Sequence, residues 1–254
     1  MVAPVTEASP TTTPLVSATG LRRTFGRGAA AVDALAGVTT GFQAAEFTAI
    51  VGPSGSGKST LMHCLAGLDQ PTAGSIVIDG DDLAKLSDND LTKVRREKIG
   101  FIFQSFNLLP VLSARENVEL PLRLGGTPAD PAWVDELIAT VGLKDRQEHR
   151  PAELSGGQQQ RVAVARALAS RPTVVFADEP TGNLDSHSSG EVLDLLRRCV
   201  DDYGQTLVMV THDARAAARA DRIVALADGQ IVHDGPVPDG GPDAVLDLMK
   251  EIGQ

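Results

Sequence analysis

The stretch VGPSGSGKST, from Val51 to Thr60, constrains this chain more than any other part of it. It fits the spacing G-x-x-x-x-G-K-S/T at Gly52 to Ser59, with the apolar run FTAI before it and the helical pattern STLMHCLAGL after it. An apolar strand, a glycine loop and a helix in that order make a cradle for phosphate. Gly52, Gly55 and Gly57 let the loop curl with its N–H groups turned inward, and the helix N-terminus adds positive potential. Lys58 then sets a cation against the outer phosphates, and Ser59 offers a hydroxyl to Mg²⁺. Pro53, Ser54, Ser56 and Thr60 fill the remaining positions of the loop and the first helical turn. The pattern points to nucleotide binding and to nothing narrower, because unrelated proteins share it.

The rest of the chain alternates short apolar strands with amphipathic helices, which predicts an α/β fold with a mostly parallel sheet covered on both faces. LVSATGLRRTF, VDALAGVTTGFQ, SIVIDG, KIGFIFQ, TVVFAD and TLVMVTHD read as strands, and RIVALADGQIVHDG reads as a hairpin around Asp228-Gly229. Between about residues 105 and 168 the signals turn helical: Ser113 with Glu116 makes a capping box, and Asp130-Pro131 opens a further helix. This predicts one domain over residues 15–235 with a helical insert, a disordered tail over 1–14, and a helical tail over 236–254.

Composition narrows the partners. The net charge of −10 argues against nucleic acid, which needs a concentrated basic surface. Neither a membrane-spanning run nor a signal peptide is apparent, which predicts a cytoplasmic protein. Cys64 and Cys199 lie far apart inside apolar helical patterns and read as small core residues.

Three strand ends carry polar groups suited to phosphate chemistry. Asp178 closes TVVFAD, where ligands bind in open parallel sheets, and suits the Mg²⁺ shell. Glu179 follows it as a candidate base for a water attacking a γ-phosphate. His212 ends TLVMVTHD, and Gln104 ends KIGFIFQ with an amide able to reach the metal or the water. A fourth feature, ELSGGQQQRVAVARAL, places Ser155 and Gln158 at capping-box spacing ahead of a helix whose expected buried face is Val162, Ala165 and Leu168. A cap does not need Gly156 and Gly157, and the two glycines read as room for a phosphate at the helix N-terminus.

Taken together, these motifs resemble the nucleotide-binding subunits of ABC transporters, from about Leu15 to Gly235. LSGGQ is similar to the family signature, GPSGSGKST to its Walker A motif, VVFADEP to its Walker B motif with the catalytic glutamate, NLDS with Asp185 to its D-loop, and His212 to its switch histidine. The resemblance implies an ABC ATPase fold with an N-terminal antiparallel β subdomain and a helical subdomain, and ATP with Mg²⁺ as ligands. It also implies a two-fold dimer in which the Lys58 loop of each copy and the Ser155 loop of the other sandwich one nucleotide. Where the family usually stacks adenine on a tyrosine, this chain has Phe25, which keeps the π-face and loses the hydroxyl.

GRGAAAVDALAGV, LSDNDLTKVRREKIGFIFQSFNLLPVLSARENVELPL and EHRPAELSGGQQQRVAVARAL resemble the MacB, LolD and FtsE group. That likeness implies an integral-membrane permease partner with a large extracytoplasmic domain, docked at Phe106 to Pro110 on the inner face of the membrane. The alternative, a soluble ABC ATPase acting on nucleic acid or ribosomes, fits less well. Its usual forms carry a long coiled coil or two motif sets, and the charge is acidic.

Overall fold

The structure, a computed structural model, describes residues 13–26, 28–126 and 128–253. The expected disordered tail lies outside the described residues except for its last two positions. Two long strands open the chain, β1 (Val16–Phe25) and β2 (Val32–Phe42). β3 (Phe47–Val51) runs through the glycine loop into α1 (Lys58–Leu65), followed by β4 (Ala73–Ile78) and the short β5 (Asp81–Asp82). α2 (Asp88–Lys98) is capped by the Ser87 hydroxyl and leads into β6 (Ile99–Ile102). The helical insert follows as α3 (Ala114–Gly125), α4 (Pro131–Thr140) and α5 (Gly156–Leu168), with the capping boxes at Ser113 and Ser155 both formed. β7 (Val174–Asp178), α6 (Ser186–Tyr203), β8 (Thr206–Val210) and the short α7 (Ala214–Ala217) come next. The hairpin of β9 (Arg222–Ala227) and β10 (Gln230–Pro236) precedes α8 (Gly241–Ile252). Among the described residues no helix is long and apolar enough to cross a membrane.

The strands form two sheets. An antiparallel one has the order β2-β1-β4-β5, and a six-stranded one has the order β10-β9-β3-β8-β7-β6, parallel except for its terminal hairpin. Strand residues alternate between two cores, as the pleat requires. Phe47, Ala49 and Val51 of β3, Val175 and Ala177 of β7, and Leu207 and Met209 of β8 enter a core shared with the helical insert. Ile50, Val174, Phe176, Val208 and Val210 enter a second core with α1 and the antiparallel sheet. Burial on both faces explains why these strands read as continuous apolar runs. Cys64 and Cys199 are buried, one in each core, and burial pushes both thiols up to about 11.

The register brings one edge of the sheet level. Ile50 pairs with Val210, Val210 with Asp178, and Ala177 with Ile102. The chain leaving β3, β6, β7 and β8 therefore emerges at a single edge.

Val162, Ala165 and Leu168 are buried as expected, and the burial of their helix goes further. α5 does not bury one face: Gln160, Val162, Ala163, Val164, Ala165, Ala167 and Leu168 are all buried, because the helix packs against α3, α4, α6 and β6. The C-terminal segment carries α8, whose Val245 is fully buried in the first core, with Leu248, Met249 and Ile252 packed against it. Truncating Val245 to alanine is expected to cost about 1–3 kcal/mol in urea unfolding, while Leu246→Ala, half exposed on the same helix, stays within about 0.5 kcal/mol.

Candidate active site

The loop between β3 and α1 is shaped by close backbone contacts. A Cβ at Gly52 would lie 2.1 Å from the Leu226 carbonyl oxygen and one at Gly57 2.2 Å from that of Ala34, and both glycines have positive φ. No other residue fits there. Inside the curl, the Lys58 ammonium donates to the carbonyl oxygens of Gly52 and Pro53 at 2.9 and 2.8 Å. Burial pulls the Lys58 pKa below its usual value, and the carboxylates of Glu179 and Asp178 oppose that shift. A partly desolvated ammonium held by weak neutral acceptors is well prepared to exchange them for anionic phosphate oxygens. Pro53, Ser54 and Gly55 are exposed at the rim, whereas the Ser56 hydroxyl is buried without a hydrogen-bond partner.

The acidic groups stand opposite this loop. Ser59 Oγ donates to Asp178 Oδ1 at 3.3 Å, so the first helical turn and the end of β7 meet at one point. A hydroxyl and a carboxylate are hard oxygen donors of the kind Mg²⁺ takes beside substrate phosphates and water. Glu179 lies at the turn out of β7 with φ of 44°, in the left-handed region. Its N–H donates to the Val210 carbonyl at 2.9 Å, and its own carbonyl accepts from Gly182 N–H at 3.0 Å. Its Oε1 is 3.0 Å from His212 Nδ1. The conformation is strained for a glutamate and is held by the neighbouring strand. A cleft of ≈ 310 Å³ adjoins Glu179 and His212 on the side of α6.

Gln104 joins this group through Gly182. A Cβ at Gly182 would stand 2.7 Å from Gln104 Nε2 and 3.3 Å from Glu179 Oε2. The bare Cα is what lets the two side chains converge. The Asn183 amide also donates to the Gln104 carbonyl at 3.0 Å.

The other expected residues lie on other segments. Ser155 is exposed and accepts from Gln158 N–H, while the Gln158 amide oxygen accepts from Ser155 N–H at 2.9 Å. Among the described residues no hydrogen bond or ion pair joins this loop to the Lys58 loop. Gly157 is bare because of a neighbour distant in sequence: a Cβ there would lie 2.9 Å from both Cβ and Oγ of Ser188 on α6. Gly156 has more room, with Leu184 at 3.4 Å. Asp185 caps α6, accepting from the N–H groups of His187 and Ser188 and from Ser188 Oγ. Those bonds, led by the Ser188 N–H, hold its carboxyl below the usual range. Phe25 is exposed at the end of β1 with the Arg23 guanidinium 4.5 Å over its ring, so it is a surface platform and not a core residue.

Residues 35–182, more than half of the chain, match the family model described as ABC transporter. The chain belongs to the ABC transporter family. It is 47% identical, over 90% of its own length and 97% of the relative's, to the lipoprotein-releasing system ATP-binding protein LolD of Anaeromyxobacter dehalogenans. It is 46% identical, over 94% of its length, to the macrolide export ATP-binding/permease protein MacB of Brucella melitensis, of which it spans 37%. Among solved structures it resembles a post-hydrolysis dimer of the ATP-binding cassette MJ0796 bound to ADP and Pi. The two are 41% identical with a TM-score of 0.79, covering 88% of this chain and 99% of that one. The fold is that of an ABC ATPase.

Three residues that shape this ABC ATPase site or the segment beside it were not singled out from the sequence: Gly182, Arg166 and Asn117. Gly182 carries no local signal, because its approach to Gln104 is visible only in three dimensions. Arg166 donates to the carbonyls of Phe106 and Asn107, two consecutive residues of positive φ, and Asn117 clasps Leu109, Leu112 and Ser113. Polar residues inside helical patterns were the available signal. Gly182→Ala is expected to displace the Gln104 amide and slow ATP hydrolysis about 10-fold or more while leaving the melting temperature nearly unchanged. Steady-state ATPase rates beside a thermal melt check this.

Proposed function

We propose that this chain is the ATP-hydrolysing engine of a transporter of the MacB and LolD kind, closing as a two-fold dimer around ATP. The observation that carries the reading is the Glu179 carboxylate, 3.0 Å from His212 and beside the edge where Ser59 meets Asp178. In this reading the backbone N–H groups of Gly52 to Thr60 and the Lys58 ammonium grip the phosphates, and Phe25 supports the adenine. Ser59 and Asp178, with Gln104, hold Mg²⁺, which when bound neutralises charge on the outer phosphates. Glu179 accepts a proton from the water that attacks the γ-phosphorus, the bond from that phosphorus to the ADP oxygen breaks, and inorganic phosphate forms. His212 orients Glu179 and the γ-phosphate.

Ser155 is exposed at the N-terminus of α5, which supports its use by a second copy. Ser155, Gly156, Gly157 and Gln158 then present a helix N-terminus to the partner's γ-phosphate, with Asp185 beside the closing interface. Loss of that phosphate removes the bridge between the two copies.

The permease is proposed to dock at Phe106 to Pro110 and the adjoining Val111. Leu108 packs into the core, whereas Leu109 and Val111 are exposed on a segment pinned by Arg166 and Asn117. A rigid apolar projection next to Gln104 suits transmission of movement from the site to a partner. The names of the relatives, one the ATP-binding protein of a releasing system and one an ATP-binding/permease protein, support a permease partner. The sequence likeness to the MacB and LolD group extends the proposal to a permease with a large extracytoplasmic domain and to a location on the inner membrane face. Replacing Glu179 with Gln is expected to cut turnover by about 10²–10⁴ while ATP stays bound. Equal rates in the variant and the native chain would overturn the assignment.

A further inference from the structure

Gln160 is fully buried in α5, among residues that are otherwise apolar. Its amide Nε2 donates to the Pro180 carbonyl at 2.6 Å and to the Phe103 carbonyl at 3.4 Å. Pro180 is the residue directly after Glu179, and Phe103 is the residue directly before Gln104. One side chain from a third element thus holds the backbone beside both polar groups of the candidate active site. Its Oε1 is buried with no hydrogen-bond partner. An apolar residue of the same length would avoid that cost, so packing does not account for an amide here.

We propose that Gln160 is a positioning residue that sets Glu179 and Gln104 in hydrolytic register and ties them to the helix that begins at Ser155. The inference rests on the reading of Glu179 as the base. Glu179 occupies a strained turn that returns to an ordinary conformation unless its surroundings oppose it. The bonds to Val210 and Gly182 act within the sheet edge and the turn. The bond from Gln160 comes from α5, only four residues after Gly156, where that helix begins. A shift of α5, such as one driven by a nucleotide against its N-terminal turn, therefore moves the Glu179 carboxylate and the Gln104 amide together. The arrangement makes hydrolysis in one site sensitive to what the Ser155 loop of the same chain has met. Gln160 itself touches no substrate.

The test uses the full chain with Gln160→Met, which keeps the length and removes the donor, and Gln160→Asn, which keeps the amide but withdraws it. Steady-state kinetics, the mass of the species in Mg-ATP and a thermal melt are measured, with Glu179→Gln as reference. The expected result is a loss in kcat approaching about 10²-fold, with KM for ATP within about threefold of the native value. Folded variants are also expected to accumulate the ATP-held dimer, as the reference does, because binding survives and turnover fails. Native kcat in either folded variant would overturn the inference, as would a loss matched by the fall in folded fraction or carried by KM. If Gln160→Met does not fold, Gln160→Asn carries the same reading. Should the Glu179→Gln reference itself turn over at the native rate, the proposed function fails instead, which keeps the two failures apart.

Discussion

Everything in this molecule depends on four parallel strands ending level. The pairings of Ile50 with Val210, Val210 with Asp178 and Ala177 with Ile102 set that edge. From it emerge the glycine loop, the Asp178-Glu179 pair, His212 and the segment that carries Gln104. None of these groups is near another in sequence. The sheet holds its register because both of its faces are buried, and a slip of one residue would exchange the contents of two cores at once.

On that rigid edge the site is assembled from features unfavourable by themselves. Lys58 is an ammonium drawn out of water, Glu179 lies in a left-handed turn, and Gln160 buries an unpaired oxygen. Such features persist only where surrounding structure over-determines them, and they gather here around a single chemistry. Among the described residues, no hydrogen bond or ion pair joins the proposed second phosphate-binding element, at Ser155, to the Lys58 loop of the same chain. That division is what makes association of two copies a chemical requirement of the proposed cycle and not only a packing preference.

Much of this was legible in the sequence wherever a local rule decides the outcome. The glycine loop, the capping boxes at Ser113 and Ser155 and the Asp228-Gly229 hairpin depend on neighbours a few residues away, and all formed as read. The polar residues after β6, β7 and β8 were visible because buried strands interrupt abruptly. What escaped was long-range. Gly157 is bare because Ser188 crowds it, Asp185 is committed to the cap of α6, and α5 is enclosed by four elements where its pattern suggested one buried face. Gly182 and Gln160 act across distances in sequence that no period or spacing encodes. The docking of α8 through Val245 was hidden in the same way, in a helix that carries no motif.

The central claim is that each nucleotide is held by Lys58 of one copy and Ser155 of the other. It is tested most directly by mixing two inactive variants, Lys58→Ala and Ser155→Asp, the latter chosen because aspartate still caps a helix but repels phosphate. In a mixed dimer one site loses both elements and the other keeps both. The account predicts that ATPase activity reappears on mixing, above the sum of the separate variants. A mixture no more active than its components would contradict it, because a site built within one chain stays broken in both.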